Sequence, residues 1–217
     1  MKHLLIVAAF FAAQSAQAGD LGLNASSLKL KVYKFAVSTS PLCTNLQTIV
    51  DNGATPSSVE FVGGNGLGAG TIANGTYPCV VIEMDNIVTF TPSTTSTSGS
   101  CQIGVASTLN VCDNGTSTLI DGSTATCSGA STKVALHLST ASSGNSNPWV
   151  APTTIPDASN GFNLGTALTI SGSATGKFVV NPSGQVCDYF AAGCDGSAGG
   201  VSHTCHLQPP SFTFTQQ

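Results

Sequence analysis

The stretch "KVALHLS", residues 133–139, decides the fold class. Val134, Leu136 and Leu138 fall on one face of an extended chain, and Ala135 and His137 on the other, which is the two-residue period of a half-buried strand. Read outward from it, short β-type runs recur: "SLKLKVYKFAVS" (27–38), "SSVEFV" (57–62), "YPCVVIEM" (77–84), "IVTFT" (87–91), "TALTIS" (166–171), "KFVVN" (177–181) and "SFTFT" (211–215). Asn-Gly occurs at Asn52, Asn65, Asn74, Asn114 and Asn160, and this pair supplies the positive φ angles that tight turns require. No long segment after the first residues carries a helical stripe. The expected fold is all-β: a disulfide-stabilised antiparallel β-sandwich with long Ser/Thr/Gly-rich loops.

Residues 1–18 read as a signal peptide. Met1-Lys2-His3 is weakly basic, "LLIVAAFFAA" (4–13) is too short to span a bilayer, and Ala16-Gln17-Ala18 offers small residues for cleavage. The expected mature chain begins at Gly19 and forms one domain, 19–217. A lobe boundary, if there is one, falls in the low-complexity segment "TPSTTSTSGS" at 91–100, and a second long polar loop spans 139–161. The expected location is secreted: extracellular, at the cell surface, or periplasmic.

The eight cysteines Cys43, Cys79, Cys101, Cys112, Cys127, Cys187, Cys194 and Cys205 all follow the cleavage point. An even number in an exported chain predicts disulfides. They fall along the chain in groups of two, three and three, so pairing within groups leaves one sulfur over in each triplet. A long bridge between the 101–127 and 187–205 groups resolves that parity, whereas the exact connectivity stays open.

Only 7% of residues are charged and there is no arginine, while Ser and Thr make up about a quarter of the chain. Five lysines against ten carboxylates after cleavage exclude a phosphate-neutralising surface, so no nucleic-acid partner is expected, and no membrane insertion either. A weakly charged surface lacks self-repulsion and favours association with further copies or other surface proteins.

Several residue sets invite a chemical reading. His203, Cys205 and His206, with Cys187 and Cys194 nearby, carry metal-ligating atoms, but no C-x-x-C pair exists and the sulfurs are needed for bridges; no metal and no cofactor is expected. His137, Asp157 and Ser197 stand in the order of one protease class. Gly196 separates Asp195 from Ser197, however, and no G-x-S-x-G elbow is present, so no catalytic residue is expected. Glu83 and Asp85 sit two apart on one strand face; Asp85-Asn86 reads as turn chemistry, with Glu83 solvated. The glycine run at 63–70 lacks the following helix that a dinucleotide loop needs. Asp113 and Asp121 precede turn residues without calcium-loop spacing. Trp149, the only tryptophan, is expected either to cover the edge of the core or to stack on a sugar or partner. Asn24, Asn74 and Asn114 match the N-glycosylation pattern.

Both ends of the mature chain alternate, with Leu21, Leu23 and Ala25 at the start and Phe212 and Phe214 at the finish. Such segments can add to a neighbour's sheet edge. The expected function is a secreted, non-enzymatic structural or adhesive protein, in the form of a pilus-like fibre subunit joined by terminal strand addition. The alternative is a secreted ligand- or metal-binding domain, or a hydrolase, using His203 and His206 with Asp188 or Asp195.

Overall fold

The computed structural model describes residues 20–63, 71–143, 147–157, 159–172, 176–190 and 203–216. The expected signal peptide, most of the glycine run, Cys194, Asp195 and Ser197 lie outside these residues, as do the side chains of His203 and Phe214.

The fold is all-β. In chain order the strands are β1 (Ala25–Ser38), β2 (Gln47–Asp51), β3 (Ser58–Glu60), β4 (Gly75–Tyr77), β5 (Cys79–Asp85), β6 (Ile87–Pro92), β7 (Ser107–Asn110) and β8 (Thr116–Thr118). They continue with β9 (Thr124–Thr126), β10 (Lys133–Ser139), β11 (Phe162–Asn163), β12 (Leu168–Ile170), β13 (Gly176–Asn181), β14 (Val186–Phe190), β15 (His203–Leu207) and β16 (Ser211–Gln216). No helix among the described residues is long and apolar enough to cross a membrane.

The spine is one long antiparallel pairing. β1 runs from Ser38↔Cys79 to Val32↔Met84 beside β5, and from Lys29↔Thr89 to Ala25↔Pro92 beside β6, with register irregularities after Val32 and Ala25. Sheet partners then divide at Asn86. The β5 half carries β10 and, parallel to it, β11; the β6 half carries β7. The other edge of β1 takes β2 and β3. Asn86 holds the division: its backbone N–H donates to Thr132 on the β10 side, and its carbonyl accepts from Val111 on the β7 side. Strand pairs β4/β12, β13/β16, β14/β15 and β8/β9 complete the described structure.

Val80, Ile82, Met84, Val134, Leu136 and Leu138 enter the main core. The opposite face was expected to be the wet side of a half-buried strand, and here the structure differs. Cys43, Leu119 and Ala135 form a second, smaller core with Cys79 and Val81. Segments distant in sequence, the chain around Cys43 and the β8–β9 hairpin, cover β5 and β10 on that side. Both strands are therefore buried on two faces.

Disulfides join Cys43–Cys79, Cys101–Cys205 and Cys112–Cys127 across 36, 104 and 15 residues. Cys187 is also disulfide-bonded. Cys101–Cys205 is the long link that the cysteine grouping anticipates. In the chain-entropy model a loop of that length contributes about 4–5 kcal/mol.

Candidate functional site

Several of the described residues singled out for chemistry hold structural positions. Cys205 and His206 are neighbours on β15, so their side chains project to opposite faces, and the Cys205 sulfur is committed to Cys101. Among the described residues, no group of three or more His, Cys, Asp or Glu side chains is placed to hold a metal. His137 is 2% exposed, and its Nδ1 has no hydrogen-bond partner among the described residues. Burial pulls its pKa down from 6.5 to about 4, keeping the ring neutral. Asp157 is engaged within its own loop. Its carboxylate accepts from the backbone and hydroxyls of Thr153 and Ser159 and from Asn160 Nδ2, which holds its pKa far below the usual carboxylate range.

Glu83 corrects an expectation. Rather than solvated, it is 1% exposed: Oε1 accepts from Ile120 N at 2.8 Å, and Oε2 lies 3.4 Å from Lys133 Nζ. The covering hairpin, unreadable from the local sequence, is what buries it. Asp85 does behave as a turn residue, its Oδ1 accepting from Ile87 N at 3.0 Å.

The terminal segments are built into the chain's own fold. Leu23 exchanges two backbone hydrogen bonds with Val186, Ala25 begins β1, and Phe212 packs against the core with its ring 5.8 Å from that of Phe162. Phe214 pairs with Phe178 along β16. Leu21 alone of the first three remains substantially exposed, at 49%.

The feature that sequence reading missed is an apolar cavity of about 410 Å³. One wall comes from the main sheet: Leu28 on β1, Ile82 and Met84 on β5, Val88 on β6 and Leu136 on β10. Val180 and the segment from His206 to Phe212, including Pro209 and Pro210, supply another. Trp149 and Phe162 stand at its side on fixed backbone: Trp149 O accepts from Thr118 N, Pro148 O accepts from His137 N, and Phe162 pairs in β11 beside Leu138. The Asn110 amide is turned to structural work, donating to Ser128 O and accepting from Asn86 Nδ2 and Cys112 N. Among the described residues His206 is the one titratable side chain in the lining, and burial lowers its pKa.

Volumes of this order are typical of small-molecule pockets, about 300–1,000 Å³. Walls so poor in polar groups offer water few partners. The lining is thus apolar, with no nucleophile or charged group aimed into the cavity among the described residues. No family model matches the chain, and neither a curated protein nor a solved structure matches it.

Proposed function

We propose that the protein is exported and serves as a non-enzymatic structural or adhesive component of the cell surface or extracellular space. On this reading residues 1–18 are removed, and residues 19–217 form a single disulfide-stabilised antiparallel β-sandwich. The observation that carries the proposal is the disulfide framework, with Cys101–Cys205 tying the middle of a weakly charged chain to its end. The use of Glu83, Asp85 and Asp157 in structural hydrogen bonds supports a non-enzymatic role.

Association with other copies proceeds by strand addition at the N-terminal edge, where Leu21 is exposed and Leu23 is held by two backbone bonds that an incoming strand could replace. The test is N-terminal sequencing of the exported protein, followed by electron microscopy of the purified material with and without residues 19–23. Fibres from the full mature chain and monomers from the shortened one are expected. Fibres from both would rule out the N-terminal strand, and an uncleaved cytoplasmic product would overturn export. A second reading, a secreted ligand-binding domain, is favoured by the apolar cavity.

A further inference from the structure

We propose that the cavity between the main sheet and the 206–212 segment binds one uncharged, lipid-like molecule. Size sets the scale. An apolar protein cavity of about 150 Å³ holds one benzene, so at equal packing 410 Å³ holds roughly 16 non-hydrogen atoms.

Charge sets the class. Among the described residues no Lys, Asp or Glu lines the cavity, although four of the five mature lysines lie on β1 and β10, strands that also contribute Leu28 and Leu136 to its wall. Three of those four point elsewhere: Lys34 pairs with Asp51, Lys133 with Glu83, and Lys31 lies 4.0 Å from Asp85. A carboxylate or phosphate group entering this lining would lose its hydration without gaining a cation. His206 does not supply one, because burial favours its neutral ring. The walls are also fixed in place before any ligand arrives. Trp149, Phe162 and Leu136 sit on hydrogen-bonded backbone, and the Cys101–Cys205 bridge anchors the start of the 206–212 segment.

Because Trp149 is the only tryptophan, its emission reports on the cavity directly. The mature protein is titrated with N-phenyl-1-naphthylamine, an uncharged aromatic probe. Expected are saturable binding near one probe per chain, energy transfer from Trp149, and displacement by 1-decanol. Decanoate at pH 8 should compete at least roughly tenfold more weakly, since its carboxylate finds no partner. Val88→Phe and Leu109→Phe each place a ring in the cavity and should weaken the probe by roughly tenfold or more. Near-ultraviolet circular dichroism identifies which of the two variants keeps the native fold, and the comparison uses that one. Absence of saturable binding, equal competition by decanoate, or undiminished affinity in a folded filling variant would each overturn the proposal. Fibre formation by the same samples is scored separately, so failure here leaves the structural reading intact.

Discussion

Lys133 Nζ lies 3.4 Å from Glu83 Oε2, a cation 36% exposed facing a carboxylate 1% exposed. The pair is asymmetric: Lys133 keeps part of its hydration, while Glu83 relies on Lys133 and on the Ile120 N–H for compensation. Lys133 also stands 5.9 Å from the centroid of the Tyr33 ring. Breaking a fully buried pair costs about 3–5 kcal/mol; partial exposure here brings the expected cost of Lys133→Met to about 2 kcal/mol. The double variant Glu83→Gln/Lys133→Met retains the Ile120 bond without a stranded charge and should recover more than half of that loss in urea unfolding. Simple additivity of the two single changes would refute the coupling.

Asn86 is fully buried and uses every polar atom it has. Nδ2 donates to Asn110 Oδ1, Cys112 O and Ser128 O, and Oδ1 accepts from Thr132 N. Asn86→Ala removes the bonds that its side chain makes with the Thr132 N–H and the Cys112 carbonyl, takes one of two from Asn110 Oδ1 and Ser128 O, and should cost about 3 kcal/mol. Asn86→Asp is the sharper test. It is nearly isosteric but turns an acceptor toward three oxygens, so it should destabilise more than Ala. Equal midpoints for the two variants would show that shape rather than donor chemistry matters at this position.

Acid should weaken the fold through His137. Its folded pKa of about 4 lies below the unfolded value of 6.5, so the unfolded chain binds more protons between those limits and stability falls as pH drops through them. By pH 5 the expected loss is about 2 kcal/mol. His206, lowered in the same direction by burial, adds to the trend. Asp51, Glu60, Asp121 and Asp157 are shifted down as carboxylates, and their contribution is lost only at still lower pH. Melting curves between pH 7.5 and 4.5, bounds set by these limits, should therefore be shallower for His137→Leu than for the native chain. Parallel curves would assign the acid sensitivity elsewhere.

Gly161 combines two constraints. Its φ is +73°, and a Cβ there would stand 2.4 Å from Ser142 Oγ, which itself donates to Asn160 O at 2.7 Å. Gly161→Ala should cost about 2–3 kcal/mol. Adding Ser142→Ala should return only part of this, since the backbone strain persists. A neutral Gly161→Ala in thermal unfolding would contradict this geometry.

The strands that could be read from sequence are the short β-type runs between turn residues: β1, β3, β5, β6, β10, β12, β13 and β16. The second buried face of β5 and β10 could not, because its cover comes from the chain around Cys43 and from the β8–β9 hairpin, whose Ser/Thr residues carry no apolar period. The same holds for β14 and β15. Cys187 and Cys205 read from sequence only as bridge-forming cysteines, yet they sit in two short paired strands with Asp188 opposite Cys205. Cysteine grouping did reach across the chain to a bridge between the second and third groups, since parity is a property of the whole chain. The cavity left no local trace. Its lining gathers single residues from strands and loops scattered from Leu28 to Phe212, and neither the proline pair at 209–210 nor Trp149 shows by itself that a space lies between them.

The covalent map also dictates how the molecule would respond to tension. Pulled from its two ends, the described chain transmits load along β1 to Cys43, across to Cys79, along β5 and β6 to Cys101, and across again to Cys205. Everything between Cys43 and Cys79, and between Cys101 and Cys205, is bypassed. That includes β10, whose residues form much of the two cores. What remains in the load path is the spine pairing, pulled apart from its Ala25↔Pro92 end and closed at the other by a covalent bond. Stretching would open that ladder pair by pair and then stop, leaving a tether that yields a fixed length and holds.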